Sequence, residues 1–113
     1  MHIIGFRLPT NTPGPQRHTS CGWVAMNDNK EVGWCNMSFL PHNTLKFEDA
    51  YVDPDYRGKG IYRKLWDTRW EYVTKNFKGM KVIAYCKPIT VGFYEEKGFE
   101  EVHKITLVEK TIT

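Results

Sequence analysis

Residues 52–62 constrain the fold more than any other segment, because the residue pattern changes there from that of a strand to that of a helix. The run Thr44 to Val52 alternates as a half-buried strand does. Gly58 and Gly60 follow, and glycine tolerates the positive φ angles of tight turns. From Ile61 onward, apolar residues recur at helical spacing. We therefore expect a strand, a glycine turn and a helix start in direct succession.

The helix that follows is predicted to be amphipathic and to end near Gly79. Its apolar positions lie three to five residues apart, apart from one adjacent pair, at Ile61, Leu65, Trp66, Trp70, Val73 and Phe77. Charged residues lie between them at Arg63, Lys64, Asp67, Arg69, Glu71 and Lys75. One face of this helix should therefore cover a sheet, while the other face meets solvent.

Three more strands are predicted nearer the N-terminus. Ile3 to Leu8 forms the first, and the prolines of Pro9 to Pro15 predict a loop after it. Thr19 to Met26 and Glu31 to Phe39 form a hairpin around a turn rich in Asn and Asp, which tolerate turn conformations.

A symmetric hairpin turn pairs Trp23 with Trp34, and Cys21 with Asn36 rather than with Cys35. A disulfide between the two cysteines would then need a bulge or a slipped register, so we expect free thiols in the core. The chain has three cysteines, and their spacing fits neither a disulfide set nor a metal site. This usage is typical of a reducing compartment.

Beyond the long helix, the sequence predicts a strand over Lys81 to Cys86 and a second helix over Pro88 to Lys97. One or two final strands are predicted over Phe99 to Ile112. The element order is β-β-β-β-α-β-α-β. The predicted fold is a single α+β domain over residues 1–113, with a mixed, mostly antiparallel sheet and helices on its faces.

Composition excludes several classes of protein. A length of 113 residues suits one domain, and the net charge of +3 is too mild to indicate nucleic-acid binding by itself. No apolar run approaches the roughly 18 residues of a membrane span. Residues 1–6 lack the basic head and long apolar stretch of a secretory signal, so a cytoplasmic location is expected.

Four cationic residues surround the predicted start of the long helix: Arg57, Lys59, Arg63 and Lys64. A helix N-terminus carries about half a positive charge, so these side chains are unfavourable there without an anion. The neighbouring glycines would let backbone N–H groups approach phosphate oxygens. The alternative is that the glycines only form a tight turn and the cations are solvated. Neither the Walker loop nor the dinucleotide fingerprint matches this segment.

The segment Val52 to Ile61 resembles the pyrophosphate loop of the GNAT superfamily of acyl-CoA-dependent N-acyltransferases, which reads Q/R-x-x-G-x-G/A after the fourth strand. Arg57 and Gly60 match its first two fixed positions, and Tyr62 replaces the final small residue. Downstream, Val91 to Phe99 is similar to the family's F-Y-x-x-x-G-F segment. The two matches lie at the spacing that the family shows.

The resemblance implies that acetyl-CoA lies in a slot where the fourth and fifth strands separate, and it implies no metal. The pantetheine arm would pair with backbone near Tyr51 and Val52. Lys87 stands where the family often has an asparagine after the fifth strand. The pyrophosphate would lie on the loop formed by Arg57, Gly58, Lys59, Gly60, Ile61 and Tyr62.

The resemblance also implies direct acyl transfer to an amine. Glu48 is the candidate base, expected on the same face as Ala50 and Val52; the alternative is a solvated strand glutamate. Backbone N–H groups near Val52 would hold the oxyanion. Tyr94 resembles the tyrosine that protonates or hydrogen-bonds the departing thiolate, and the alternative is simple helix packing. Cys86 is expected to be a core residue, because no histidine is placed to activate it.

Family members usually place two helices between the first and second strands, whereas here residues 9–18 leave room for a loop only. We therefore expect an open acceptor side, suited to a protein or peptide amine or completed by a partner subunit of a homodimer. Two other functions stay open. One is a non-catalytic coenzyme-A-binding or protein-interaction module, favoured by the residues at positions 62 and 87. The other is nucleic-acid binding through the basic helix start.

Overall fold

The computed structural model describes residues 2–11, 19–103, 106 and 108–112. In this part of the chain, five strands form one sheet in sequential order. They are β1 (His2–Asn11), β2 (Thr19–Asn27), β3 (Lys30–Leu40), β4 (Thr44–Val52) and β5 (Lys81–Ala84). The first four pair antiparallel, and β5 pairs parallel to β4. The predicted mixed, mostly antiparallel sheet is confirmed.

Within the described residues, two α-helices accompany the sheet, and Pro54–Tyr56 forms a single 3₁₀ turn between β4 and the first of them. The helix α1 (Ile61–Asn76) connects β4 to β5, as the crossover between two parallel strands requires. The helix α2 (Pro88–Glu96) follows β5. Helix α1 ends three residues before Gly79, whose φ of 86° forms part of the turn into β5. Neither helix in the described part of the chain is long and apolar enough to cross a membrane.

The apolar stripe of α1 packs on the sheet as predicted. Four of its residues are buried, namely Ile61, Leu65, Trp66 and Val73, and the other two are half-buried. Arg69 is the exception to the prediction, because it is only 1% exposed. It stands four residues after Leu65 and four before Val73, so helical spacing places it in the stripe rather than on the polar face.

Gly33 allows α1 to approach the sheet closely. A Cβ at this position would lie 3.0 Å from the Tyr51 carbonyl oxygen and 3.4 Å from side-chain atoms of Ile61 and Leu65. Full burial of one such apolar side chain contributes about 1.5–3 kcal/mol. The close approach therefore stabilises the junction between β4 and the start of α1.

A β-bulge at Val32 changes the register of the predicted hairpin, because Val32 is an extra residue on β3. The observed partners are Trp23 with Cys35, Val24 with Trp34, and Cys21 with Met37. The predicted pairing of Trp23 with Trp34 is therefore wrong, as is that of Cys21 with Asn36.

All three cysteines carry free thiols. Cys21 and Cys35 are buried, and Cys86 is half-buried. Burial raises the pKa of the Cys21 and Cys35 thiols, which keeps both protonated at neutral pH. The Cys35 thiol lies 3.7 Å from the Leu65 carbonyl oxygen, to which it donates a weak hydrogen bond.

Strand β1 is longer than predicted, since it continues through Pro9 to Asn11. Its register with β2 shifts between Arg7 and Thr10. A bulge on an edge strand tolerates proline, which has no N–H group to donate. The predicted loop is therefore wrong for residues 9–11, and its remainder lies outside the described residues.

The strands predicted over Phe99 to Ile112 are absent from the described residues after α2. Phe99 returns to the core, where its ring lies 5.0 Å from that of Tyr94. Beyond it, exposed apolar side chains include Val102, Val108 and Ile112. Alternation in sequence predicts a strand only where a neighbour supplies hydrogen bonds, and that neighbour is a matter of tertiary structure.

Candidate active site

The pairing between the two parallel strands stops partway along β4. The last pair joins Phe47 to Ala84. Strand β4 continues to Val52, whereas the chain leaves β5 and begins α2 at Pro88. Ligands of open sheets bind in such crevices at the carboxyl ends of parallel strands. The separation of the fourth and fifth strands that the resemblance implies is therefore present.

The start of α1 lies at the same end of the sheet, because α1 follows the carboxyl end of β4. Gly60 is the N-cap residue, with a φ of 80° and no side-chain capping hydrogen bond. Gly58 has a φ of 77°, and a Cβ on either glycine would meet no atom within 4 Å. The backbone conformation, not crowding, requires these glycines. The first N–H groups of α1 therefore lack a capping side chain and suit an anion.

Arg57 links the glycine loop to the end of β4. Its Nε donates a hydrogen bond of 2.9 Å to the Val52 carbonyl oxygen. Its guanidinium carbon lies 5.8 Å from the centre of the Tyr51 ring, which stacks on Trp34 at 6.0 Å. The Arg57 side chain therefore holds the loop in place while its charge stays beside the uncapped helix start.

Two further cations at the helix start rest on aromatic rings. The Lys59 ammonium lies 5.2 Å from the Tyr56 ring centre, and the Arg63 guanidinium lies 5.2 Å from that of Phe93. Within the described residues, neither group has a carboxylate within 4.0 Å. Lys64 is exposed on the same turn. The charges of Lys59 and Arg63 are therefore not neutralised by any described acidic side chain.

Tyr94 and Tyr62 approach each other across the two helices. Tyr94 is 8% exposed, and its ring lies 5.8 Å from that of Trp66. Tyr62 packs edge-on to Phe93 at 5.6 Å. Burial raises the pKa of the Tyr62 phenol, and the neighbouring Tyr94 adds to this rise. A neutral phenol thus stands where the family loop has a small residue.

Glu48 lies on a different face from the one predicted. A bulge in β4 sets both Glu48 and Asp49 opposite a single residue of β3. The bulge reverses the alternation, so Ala50 and Val52 pack towards α1 with the core. The Glu48 carboxylate instead accepts a hydrogen bond from Ser38 on the other face. The expectation that Glu48 shares a face with Ala50 and Val52 is therefore wrong.

The Glu48 side chain is paired rather than solvated. Its Oε1 lies 2.9 Å from the Ser38 hydroxyl, and its Oε2 lies 3.5 Å from the Lys46 ammonium. The side chains of Lys46 and Glu48 are each 29% exposed. The carboxylate thus keeps contact with solvent at the level where the pairing of β4 with β5 ends.

Sequence reasoning missed the part that Arg69 plays at this bulge. Its Nη1 donates to the carbonyl oxygen of Asn36 at 3.0 Å and to that of Glu48 at 3.5 Å. Its guanidinium carbon lies 3.8 Å from the centre of the Phe47 ring. Among the described residues, the Arg69 Nε has no hydrogen-bond partner. The signal in the sequence was its position within the apolar stripe of α1.

The remaining expected residues surround the same opening. Tyr51 is 44% exposed, Val52 is buried, and Lys87 is the exposed N-cap residue of α2. Cys86 lies between β5 and α2. Across the residues that the structure describes, no three His, Cys, Asp or Glu side chains gather as metal ligands.

Comparisons with known proteins agree with this geometry. Residues 18–101 match the family model of the acetyltransferase (GNAT) domain. Over 85 residues the chain is 27% identical to an uncharacterized N-acetyltransferase of Methanocaldococcus jannaschii. That alignment covers 72% of this chain but only 31% of the relative's length.

Solved structures show the same fold. An acetyltransferase of Trypanosoma brucei superposes with a TM-score of 0.65 and 22% identity, over 80% of this chain and 69% of the other. AAC(6′)-Iy in complex with the bisubstrate analogue CoA-S-monomethyl-acetylneamine gives a TM-score of 0.59 and 20% identity, over 82% and 70% of the two chains. The family match spans β2 to β5 and both helices, so the chain belongs to the GNAT acetyltransferase family.

Proposed function

We propose that this protein is an N-acetyltransferase that moves an acetyl group from acetyl-CoA directly to a primary amine. The observation that carries the proposal is the meeting of two features at one end of the sheet. The end of β4 lacks a partner on the side of β5, and the start of α1 lacks a cap. Coenzyme A suits both, because its pantetheine arm has amide groups and its diphosphate is an anion.

The cofactor residues are proposed from their place around this opening. N–H groups of the glycine loop and first helical turn would bind the diphosphate, and the nearby cations would add attraction. The free backbone at the end of β4 would pair with the pantetheine arm, and the start of α2 borders the opposite side. The proposed residues are Tyr51, Val52, Arg57, Gly58, Lys59, Gly60, Ile61, Tyr62 and Lys87.

Glu48 is the proposed general base. A lysine-like ammonium has a pKa near 10.4, so the acceptor must lose a proton before its nitrogen can attack the thioester carbonyl. The Glu48 carboxylate can take that proton, since it lies where the strand pairing ends and is partly exposed. Backbone N–H groups near Val52 are proposed to stabilise the oxyanion.

Tyr94 is the proposed acid. When the new C–N bond forms and the C–S bond breaks, the coenzyme A thiolate needs a proton or a hydrogen bond. The Tyr94 ring packs against Trp66 of α1 and against Phe99. Its phenol is therefore oriented by packing before any ligand arrives.

The acceptor is proposed to be a protein or peptide amine, with a small-molecule amine as the alternative. Strands β1 and β2 pair directly, and only residues 12–18 connect them. Seven residues are too few for two helices, because a single turn of α-helix already takes about 3.6 residues. A partner subunit could instead complete this side. We place the reaction in the cytoplasm.

Calorimetric titration with coenzyme A and acetyl-CoA tests the proposal, together with a thiol-release assay on peptide amines and polyamines. We expect saturable heat that weakens with salt, and a stabilisation of about 2.7 kcal/mol at a ligand concentration of 100 Kd. Absence of both heat and thermal stabilisation with acetyl-CoA would overturn the proposed function. Turnover of polyamines but not of peptides would overturn the proposed protein or peptide acceptor. A monomeric enzyme in that assay would overturn the proposed partner subunit.

A non-catalytic coenzyme-A-binding module is the second candidate. The observation that favours it is Tyr62, whose ring packs on Phe93 between α1 and α2 where the family loop has a small residue. Acetyl-CoA binding without thiol release across the whole amine panel would support this candidate. Thiol release that depends on Tyr94 would support the enzyme.

A further inference from the structure

The Glu48 carboxylate is held at both of its oxygens by residues of two strands. Ser38 on β3 donates to Oε1 at 2.9 Å, and Lys46 on β4 lies 3.5 Å from Oε2. Ser38 is 1% exposed, so its hydroxyl has little freedom to turn towards water. Two separate partners therefore define the orientation of the carboxylate.

The backbone beneath this carboxylate is also held. The bulge in β4 leaves the Glu48 carbonyl oxygen within 3.5 Å of the Arg69 Nη1, which also binds the Asn36 carbonyl oxygen. Arg69 is buried and lies against Phe47, the last residue of β4 that pairs with β5. The carboxylate therefore projects from a rigid point directly beside the end of the strand pairing.

Lys46 extends this arrangement across the sheet. Its ammonium lies 5.0 Å from the centre of the Tyr85 ring, so it connects Glu48 on β4 with the residue that follows β5. A carboxylate can accept a proton from an ammonium group only when one of its oxygens is oriented within hydrogen-bond reach of that group.

We propose that Ser38 and Lys46 are positioning residues that hold the Glu48 carboxylate in the orientation needed to remove a proton from the acceptor ammonium. This inference rests on the proposed function. The proton passes from the acceptor nitrogen to a Glu48 oxygen and then to solvent, which reaches the 29% exposed side chain. The amine lone pair that remains attacks the thioester.

The test compares Ser38→Ala and Lys46→Met with wild type in the full chain. We expect kcat to fall roughly 10-fold or more, within the range of general-base effects, while acetyl-CoA affinity stays unchanged. The KM for the acceptor amine should also stay unchanged, because the loss lies in proton removal and not in binding. Ser38→Thr and Lys46→Arg retain the hydroxyl and the charge, and should restore the wild-type kcat.

Two matched controls remove similar groups elsewhere. Thr44→Val deletes a hydroxyl on β4 that bonds to the His42 carbonyl oxygen, and Lys30→Met deletes an ammonium 3.9 Å from Asp53. Both should leave kcat unchanged. An equal loss of kcat in Ser38→Ala and Ser38→Thr would mean that the hydroxyl does not position the carboxylate, and would overturn the inference. If Ser38→Ala does not fold, Lys46→Met tests the same positioning role at a partly exposed position.

The result for Glu48→Gln separates this inference from the proposed function. Wild-type turnover by that variant, with acetyl-CoA still bound, overturns the positioning role and leaves the acetyltransferase proposal standing. No binding of acetyl-CoA by wild type overturns both. A large loss of turnover in Glu48→Gln supports the inference when Ser38→Ala and Lys46→Met show smaller losses that Ser38→Thr and Lys46→Arg restore.

Discussion

The two halves of β4 differ in what holds them. Residues 44–47 pair with β3 on one side and β5 on the other, and they bury Leu45 and Phe47 completely or nearly so. Residues 48–52 pair with β3 only, begin with a bulge and carry the partly exposed side chains Glu48 and Tyr51. Residues 44–47, the paired half, fix the position of the strand because they have partners on both sides. Residues 48–52, the unpaired half, lack a partner on the side of β5. They can therefore offer backbone and side chains to a ligand while β3 holds them in position.

Phe47→Ala should break the paired half and give the largest effect on stability. The Phe47 ring is 3% exposed and contacts Arg69, Trp66 and Phe99, so its removal leaves a cavity. We expect a loss of about 3–5 kcal/mol in the free energy of unfolding, measured by urea denaturation. Phe77→Ala, at a half-buried ring, is the control and should cost less. A loss below that of the control would contradict the anchoring role.

Glu48→Gln should affect the unpaired half in the opposite way, with a loss of activity and little loss of stability. Removing a general base lowers kcat by about 100-fold or more. Acetyl-CoA affinity, measured by calorimetry, should stay within error of wild type. Glu71→Gln changes an exposed carboxylate of α1 and serves as the control. Equal kcat in the two variants would remove Glu48 from the mechanism.

Tyr94→Phe should lower kcat by roughly 10- to 100-fold, because it deletes the proposed proton donor and keeps the ring. The packing of that ring on Trp66 and Phe99 should preserve the denaturation midpoint. Tyr72→Phe is the matched control, since its ring packs on Trp23 and Phe77 instead. Unchanged thiol release in Tyr94→Phe would leave the residue with a packing role only.

Gly60→Ala should give the smallest effect, at the loop beside the unpaired half. An alanine at a φ of 80° costs about 1–2 kcal/mol, and the resulting distortion should weaken acetyl-CoA binding by about 10-fold. Gly92→Ala is the matched control, because Gly92 lies in α2 with open space around it. That variant should gain about 0.5–1 kcal/mol of stability. Similar affinities for acetyl-CoA in both variants would show that the loop backbone is not needed for binding.

Local pattern predicted the elements that carry their own signal. The strand, glycine turn and helix over residues 44–76 follow from alternation, glycine and helical spacing, and the structure confirms them. The helix opened by Pro88 and followed by Gly98 is confirmed as well. The strands expected after Phe99 are wrong for the described residues, because local sequence does not reveal whether a sheet edge is available for pairing.

The features of the candidate site also separate into those that local sequence predicts and those that it does not. Sequence by itself determined the order of elements from β1 to α2, the family resemblance and the uncapped, cationic start of α1, since each depends on neighbours along the chain. Only the tertiary structure decided which face carries Glu48, which donors hold it and that Arg69 lies inside the core. One extra residue in a strand reverses every side chain beyond it, and that bulge arises from pairing between distant segments.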